Sequence, residues 1–191
     1  MKIHNILPIS KANGPGARFV IWTQGCRRQC SDCFNPATHD PNGGCEIGIM
    51  EIIKQIPKEE VCGITVSGGE PFEQAEELAI FLEQAGQNQL NRLVYTGFTC
   101  EELAAKNDIT INKCLSFIDI LIDGHYTKDV PSVLPWTGSG NQRILQLKHG
   151  KIINVYEKSD FDGINENEGE IIIGFNGSII ATGIFNSSPL L

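Results

Sequence analysis

Hydrophobic residues along the chain follow two alternating patterns, short apolar runs and helical spacings. The runs are rich in aliphatic, β-branched and aromatic residues and predict five strands in the first two thirds of the chain. These strands cover about residues 2–9, 18–23, 61–66, 92–95 and 117–122. The turn-rich Asn13-Gly14-Pro15-Gly16 separates the first two strands, which we therefore expect to be neighbours or a hairpin.

Between these runs, apolar residues recur every three or four positions, as on the buried face of an amphipathic helix. One set is Ile49, Ile52, Ile53 and Ile56, ended by Pro57, and the next is Ala75, Leu78, Ala79 and Leu82, with Gly86 placed to end the helix. Thr99 and Glu102 have the spacing of a capping box, which predicts a short helix through Ala105. Because strands alternate with helices, the pattern predicts an α/β fold with parallel strands.

Polar or glycine-rich motifs follow four of the predicted strands. They are the cysteine-rich segment 26–33, Ser67-Gly68-Gly69-Glu70-Pro71, Thr96-Gly97 and Asp123-Gly124-His125. In a parallel sheet or barrel, the carboxyl ends of the strands share one face, and ligands bind there. We therefore expect the four motifs to form a single site.

The alternation of strands and helices fades after residue 129. A strand is predicted at about residues 144–147, and Asn176-Gly177 predicts the turn of a hairpin between residues 170–175 and 178–182. Beyond Lys158 the chain has no Lys or Arg, and the stretch 160–170 is acidic. This stretch is either solvated surface or a surface for docking a partner.

Composition and charge narrow the class of protein. The 191 residues, of 21.0 kDa, suffice for one domain but fall short of the roughly 250 of a closed (β/α)₈ barrel. Lys and Arg number 15 and Asp and Glu 23, so the formal charge of −8 disfavours a nucleic-acid partner. No segment approaches the roughly 20 apolar residues of a membrane span, and residues 1–10 lack the pattern of a signal peptide. A soluble, cytoplasmic protein without a membrane partner is expected.

Three of the seven cysteines, Cys26, Cys30 and Cys33, fall within eight residues. Thiolates at this spacing can converge on a metal centre, either a structural zinc with a fourth ligand such as His39 or Cys45, or an iron–sulfur cube with one open iron. The odd cysteine count and the lack of an export signal argue against a disulfide framework. Outside the triplet, Cys62 is expected to be a small buried side chain, and no function is assigned to Cys45, Cys100 or Cys114.

The second motif places an acidic residue directly after two glycines. Gly68 and Gly69 allow a ligand to approach the backbone closely, while Glu70, fixed by Pro71, would repel a phosphate. A ligand with an ammonium group therefore fits better. The alternative is an ordinary turn in which Glu70 begins a helix and interacts with its dipole.

Asp123 ends a strand of aliphatic residues, where a charge needs a partner. That partner is a ribose diol or a cationic group if Asp123 is functional, and a helix end if it is a cap. His125 is either a donor near a ligand or a surface histidine. Arg143 either reaches a carboxylate in the site or forms a salt bridge at a strand end.

Together these residues resemble the radical S-adenosylmethionine superfamily, whose hallmark is a Cys-x3-Cys-x2-Cys loop after the first barrel strand. Gly-Gly-Glu-Pro at Gly68–Pro71, about 40 residues later, is a second motif of that superfamily. Within it, the chain is similar to the small activases of anaerobic ribonucleotide reductase over about residues 14–145. Supporting stretches are Gly14-Pro15-Gly16, Gln24-Gly25-Cys26, Phe34-Asn35-Pro36, Ile120–Gly124 and Gly138–Arg143.

The resemblance implies one radical S-adenosylmethionine domain over residues 1–191, an incomplete (β/α) barrel with a core at about 14–145 and a C-terminal β extension at about 146–191. Its cofactors would be a 4Fe–4S cluster, with Cys26, Cys30 and Cys33 as metal ligands, and S-adenosylmethionine. The methionine ammonium would be held by Ser67, Gly68, Gly69 and Glu70, and the ribose by Asp123, with His125 nearby. An incomplete barrel would leave a lateral side open.

The implied activity is reductive cleavage of S-adenosylmethionine to a 5′-deoxyadenosyl radical, which makes a glycyl radical on a large enzyme, anaerobic ribonucleotide reductase. Flavodoxin or ferredoxin would donate the electron. Two departures from the family pattern concern Asp32, where many members have an aromatic residue, and His125, where many activases have lysine. The alternatives are a radical enzyme acting on another protein, a peptide or a small molecule, and a non-catalytic metal-binding module.

Overall fold

The computed structural model describes residues 1–30, 32–162, 169–173 and 179–183. Its strands are β1 Lys2–Ser10, β2 Arg18–Thr23, β3 Cys45–Glu46, β4 Gly63–Gly68, β5 Asn91–Tyr95, β6 Ile120–Asp123, β7 Arg143–Lys148, β8 Lys151–Val155, β9 Gly169–Ile173 and β10 Ile179–Gly183. Its α-helices are α1 Ile49–Lys54, α2 Ala75–Gln87, α3 Cys100–Ala105 and α4 Ile109–Phe117. A short 3₁₀ helix, Pro71–Gln74, leads into α2.

Eight strands form one mixed sheet in the order β3-β1-β2-β4-β5-β6-β7-β8. The central pairs β2–β4, β4–β5 and β5–β6 are parallel, and the helices between them make the crossovers. The flanking pairs, including the expected β1–β2 neighbours, are antiparallel. In the described part of the chain, β3 and β8 each pair with one strand, so the sheet is open. The predicted α/β single domain is confirmed at this level.

The helices cover one face of the sheet, and the alternation of side chains along each strand explains why. Phe19 and Ile21 of β2 and Leu121 of β6 belong to the main core that packs against α1, α2 and α4. Their neighbour Ile122 instead joins a smaller cluster with Leu93 on the opposite face. Since successive side chains point to opposite faces, each central strand supplies both layers. The face without helices is the one that bears the candidate site.

The structure corrects the predicted strand at residues 117–122. Residues 109–117 form the helix α4, and Phe117 ends that helix, so β6 begins only at Ile120. Asp108 caps α4, because its carboxylate accepts hydrogen bonds from the N–H groups of Thr110 and Ile111. The tertiary burial of one face of this helix outweighs its β-branched composition.

Two predicted boundaries also move. The strand expected at residues 61–66 is β4, Gly63–Gly68, two residues later. Gly86 lies inside α2 rather than ending it, and the chain turns at Gln89, which has a positive φ of 59°. Gly86 has a packing role, since a Cβ there would lie 2.4 Å from Nη1 of Arg92.

The C-terminal extension contains the two strands of the predicted hairpin, β9 and β10, paired antiparallel. Its expected turn at Asn176-Gly177 lies outside the described residues. Thr182 exchanges hydrogen bonds with Asn13, and Glu170 accepts from Ser10 Oγ and the N–H of Lys11. Glu170, at the end of the acidic stretch, therefore binds this chain's own body. No helix in the described part of the chain is long and apolar enough to cross a bilayer.

The expected burial of Cys62 is wrong. Cys62 precedes β4 at the surface, where its Sγ lies 3.2 Å from the carbonyl oxygen of Ala17. Cys45 is also exposed, whereas Cys100 and Cys114 are buried in the helical layer. Burial raises the pKa of Cys100 to about 11 and that of Cys114 to about 12.

We expect an alkylating reagent to discriminate among these four thiols. At about pH 9, Cys45 and Cys62 should be modified in the folded protein, while Cys100 and Cys114 should stay unmodified until unfolding, because both access and thiolate formation are suppressed. Peptide mass spectrometry after iodoacetamide treatment measures this order. Modification of Cys114 as fast as Cys62 would contradict the packing of α4.

Candidate functional site

A cavity of about 610 Å³ lies at the carboxyl ends of the parallel strands. Its wall includes seven of the residues predicted for the site: Cys26, Cys30, Cys33, Ser67, Gly68, Gly69 and Glu70. Thr96 and Gly97 after β5 and Gly124 after β6 also line it. The expectation that the four motifs converge on one face of the sheet is therefore met. Asp123 and His125, both within the described residues, lie beside the cavity without lining it.

The two glycines of the second motif let β4 approach the end of β2. A Cβ on Gly68 would lie 2.4 Å from the backbone nitrogen of Thr23, and one on Gly69 would lie 2.2 Å from the carbonyl oxygen of Gly25. Gly68 also has a φ of +101°, which L side chains rarely adopt. The N–H of Gly69 donates to Thr23 and that of Glu70 to Gly25. The turn is thereby attached to the backbone that precedes Cys26.

Glu70 is buried, with 1% of its surface exposed, and its carboxylate joins two loops. Oε1 accepts from the N–H of Phe72 and the hydroxyl of Thr96, and Oε2 accepts from the N–H of Gly97 at 2.9 Å. The bond to Phe72 caps the 3₁₀ helix, so the predicted helix-start role is realised. A carboxylate can accept about four hydrogen bonds, so that of Glu70 can accept a further one from a ligand in the cavity that it lines.

Burial raises the pKa of Glu70, and its hydrogen bonds and the more distant charge of Arg28 oppose that rise only in part. Within the described residues, Glu70 forms no ion pair, so no side chain neutralises it there. A ligand ammonium placed against this carboxylate would supply the missing charge. The geometry therefore fits the cationic ligand that the sequence favours.

The cysteine triplet lies in an irregular loop directly after β2. Cys26 is buried, while Cys30 and Cys33 are half-buried. Burial raises the pKa of Cys26 and Cys33, but backbone N–H groups favour their thiolates, those of Arg28 and Gln29 at Cys26 and that of Asn35 at Cys33. Gln29 allows the loop to turn back by adopting a positive φ of 46°.

These sulfurs fit a cluster better than a single ion. No three His, Cys, Asp or Glu side chains among the described residues are grouped closely enough to hold one metal ion. A 4Fe–4S cube needs no such convergence, because each thiolate binds a separate iron. The three cysteines share one cavity, and Cys26 and Cys33 have N–H donors near their sulfurs, an arrangement that suits a cube with one open iron.

Asp123 is fully buried, and both of its oxygens already have partners. Oδ1 accepts from Nε of Arg143 at 2.9 Å, while Oδ2 accepts from Nη2 of Arg143 and from the N–H of Cys100 at the start of α3. The cationic partner and the helix cap considered from the sequence are both present. A contact of Asp123 with a ribose stays a prediction, and it would require the carboxylate to exchange one of these bonds.

Arg143, the first residue of β7, bridges two carboxylates. Its Nη2 lies 2.5 Å from Asp123 and 2.6 Å from Glu101, and both partners raise the pKa of Arg143. Arg143 therefore forms the strand-end salt bridge that was the second interpretation of this residue. The bridge joins β6, β7 and α3 beside the cavity.

His125 is exposed at the rim of the cavity. Its Nδ1 lies 3.6 Å from Sγ of Cys30 and 3.2 Å from Nη2 of Arg28. The imidazole therefore lies beside the cysteine loop, although 95 residues separate it from Cys30. Asp32 forms an ion pair with Lys128 at 2.9 Å.

The remaining wall of the cavity was not expected from the sequence. Trp22, Tyr95 and Trp136 line it, and β10 contributes residues 179–183. The side that an incomplete barrel was expected to leave open is thus covered along β10 by the chain's own C-terminal extension. The place of Trp22 in the wall could have been inferred from the sequence, because Trp22 alternates with the core residue Ile21. The place of β10 could not, because no sequence pattern indicates which distant segments a strand will contact.

The shared ion pair at Arg143 leads to a stability prediction. Arg143→Leu should lower the free energy of unfolding by about 2–3 kcal/mol, because it leaves the buried Asp123 carboxylate uncompensated. The matched control Glu101→Gln removes only the exposed partner and should cost less than about 1 kcal/mol. Urea unfolding measures both values. Equal losses in the two variants would contradict the assignment of Asp123 as the buried partner.

Comparison with known proteins identifies the family. A family model described as a 4Fe-4S single cluster domain matches residues 12–145. The anaerobic ribonucleoside-triphosphate reductase-activating protein of Enterobacteria phage T4 is 30% identical over 158 residues, 78% of this chain and 97% of the relative. Proteins of the same name match from Vibrio cholerae, at 31% over 75% of this chain and 97% of the relative, and from Escherichia coli K12, at 28% over 78% and 100%. The chain therefore belongs to the family of anaerobic ribonucleoside-triphosphate reductase-activating proteins, with a 4Fe-4S single cluster domain.

Proposed function

We propose that this protein is a radical S-adenosylmethionine activase that generates a glycyl radical on an anaerobic ribonucleotide reductase. One observation carries the proposal: the three cysteines line the same cavity as Glu70, a buried carboxylate that forms no ion pair with any described residue. A cluster and an amino-acid ammonium group would thus meet in one place. The names of the relatives supply the class of the partner.

Each part of the site has a distinct task in this proposal. Cys26, Cys30 and Cys33 would hold three irons of a 4Fe–4S cluster and leave the fourth iron open to S-adenosylmethionine. The Ser67–Gly69 backbone and the Glu70 carboxylate hold the ammonium group. Asp123, beside the cavity, would bind the ribose by exchanging one of its present hydrogen bonds, and His125 would contact the cofactor from the rim.

When bound, the reduced cluster supplies an electron that cleaves the sulfonium to methionine and a 5′-deoxyadenosyl radical, which removes a hydrogen atom from a glycine Cα of the partner. This chain positions the reactants and excludes water and oxygen. Trp22, Tyr95 and Trp136 make part of the wall apolar, which suits that exclusion. Flavodoxin or ferredoxin is the proposed electron donor.

The partner's glycine segment must reach the cavity past the C-terminal extension. The open sheet with flanking antiparallel strands supports an incomplete barrel, and β10 covers part of the side that such a barrel leaves free. Hydrogen bonds of Glu170 and Thr182 hold this extension to the segment 10–13. Entry of a protein segment therefore requires it to pass beside β10 or to displace it.

The second candidate is a radical enzyme that acts on another protein, a peptide or a small molecule. The cover that β10 gives one side of the cavity favours a small substrate, which needs a narrower opening than a protein segment does. A non-catalytic metal-binding module is less favoured. Such a module would not need a buried carboxylate aimed into the cavity that the cysteines line.

Cluster loading is the first prediction. Cys26→Ala, Cys30→Ala and Cys33→Ala should each lose the iron–sulfur absorbance after anaerobic reconstitution, because each removes one of only three thiolate ligands. The matched controls Cys45→Ala and Cys62→Ala should load normally, since both thiols are exposed and neither lines the cavity. Iron and sulfide contents measure the outcome. Normal loading of any triplet variant would contradict the ligand set.

Cofactor cleavage tests Glu70. Glu70→Gln should weaken binding of S-adenosylmethionine about 10-fold or more, because the ammonium group loses a charged acceptor, and formation of 5′-deoxyadenosine at a limiting cofactor concentration should fall with it. Glu76→Gln, which changes an exposed carboxylate on α2, is the matched control and should behave as wild type. Unchanged affinity in Glu70→Gln would refute the ammonium site.

The partner is tested by electron paramagnetic resonance. The reconstituted protein, S-adenosylmethionine, a reductant and anaerobic ribonucleotide reductase should give the doublet of a glycyl radical on the reductase. Production of 5′-deoxyadenosine without this doublet would reject the proposed partner and favour the second candidate. Absence of 5′-deoxyadenosine, with the cluster fully loaded, would reject both enzymes.

A further inference from the structure

Arg28 occupies a defined place in the cavity wall, between Cys26 and Cys30 in sequence. Its guanidinium carbon lies 4.4 Å from the centre of the Phe98 ring. A Cβ on Gly97 would lie 2.6 Å from Nε of Arg28, so the absence of a side chain at residue 97 lets the guanidinium pack against this backbone. Phe98 and Gly97 therefore hold a long, flexible side chain in one position.

The donors of Arg28 are only partly used. Nη2 contacts Nδ1 of His125 at 3.2 Å, a bond that places the proton of the neutral imidazole on Nε2. Nε is buried and has no hydrogen-bond partner within the described part of the chain. The side chain forms no ion pair with any described residue. A guanidinium that lines a cavity and forms no ion pair with a described residue can bind an anionic group there.

The neighbouring Arg27 shows the contrast. Its side chain is 92% exposed, and its nearest carboxylate, that of Glu73, lies 3.9 Å away. The loop thus carries two adjacent arginines, of which one is solvated and the other lines the cavity. This difference provides a matched control in the same loop, with the same charge.

Glu70 and Arg28 together place opposite charges in one cavity. Arg28 is close enough to lower the pKa of Glu70, yet the two side chains form no ion pair. A free α-amino acid group carries an ammonium and a carboxylate on the same carbon and complements such a pair of separated charges. The fork of a guanidinium matches the geometry of a carboxylate.

We propose that Arg28 binds the carboxylate of the amino-acid part of S-adenosylmethionine, while Glu70 binds its ammonium group. Arg28 is then a specificity-determining residue that selects a ligand with both charges. His125 positions the guanidinium through Nη2, and Nη1, which has no hydrogen-bond partner among the described residues, is the donor offered to the ligand carboxylate. This inference rests on the proposed function, since it takes S-adenosylmethionine as the ligand.

The test compares two ligands that differ only in the carboxylate, S-adenosylmethionine and its decarboxylated analogue. Their affinities for the reconstituted holoprotein are measured by isothermal titration calorimetry without reductant, so that no cleavage occurs. Arg28→Gln should weaken S-adenosylmethionine about 10- to 100-fold and change the analogue less than about 3-fold. Arg28→Lys should recover part of the loss, because the charge remains and the fork is absent. Arg27→Gln should bind both ligands as wild type does.

The outcomes separate the inference from the proposed function. Equal weakening of both ligands by Arg28→Gln would show general damage to the loop and overturn the inference, as would an unchanged affinity for S-adenosylmethionine. If wild type with a loaded cluster binds neither ligand, the proposed function and the inference both fail. Iron and sulfide contents show whether the variants and the wild type carry the same amount of cluster. If Arg28→Gln does not take up the cluster, Arg28→Lys is used to measure the selective loss of affinity for S-adenosylmethionine.

Discussion

The arrangement of the site depends on one buried carboxylate. Glu70 accepts hydrogen bonds from the segment after β4 and from the segment after β5, and its own N–H binds Gly25 ahead of the cysteine loop. Three loops from three different strands are thereby fixed relative to one another. The charge raises the cost of burial, and these bonds offset that cost only in part. The structure thus keeps a buried carboxylate in a fixed position in the cavity wall.

The division of the sheet into two faces explains how a chain of this length builds both a core and a site. The helices cover one face and supply the main apolar core. The other face is bounded by the loop with Trp136 and by the C-terminal extension, and it leaves a cavity at the carboxyl ends of the strands. Arg143 closes one edge by pairing with Asp123. Packing and chemistry are therefore assigned to opposite faces of the same strands.

The sequence predicted correctly those features that depend on residues close together along the chain. Helical spacing located α1 and α2, the capping box at Thr99 and Glu102 forms as predicted, and the strand-end motifs meet in one cavity. The sequence was misleading at residues 117–119, which were expected to begin a strand, whereas Phe117 ends the helix α4 and β6 begins at Ile120. Partners such as Arg143 for Asp123, or Arg28 near Glu70, depend on tertiary distances that sequence spacing does not encode. The cover provided by β10 likewise depends on contacts across more than 160 residues.

The central claim is that a 4Fe–4S cluster and S-adenosylmethionine share the cavity between the cysteine loop and Glu70. Electron paramagnetic resonance of the reduced, reconstituted protein with and without S-adenosylmethionine tests it most directly. The account predicts a cluster signal whose shape changes when the cofactor is added, and a change that needs a higher cofactor concentration in Glu70→Gln. A fully loaded cluster whose signal is unaffected by saturating S-adenosylmethionine would contradict the account.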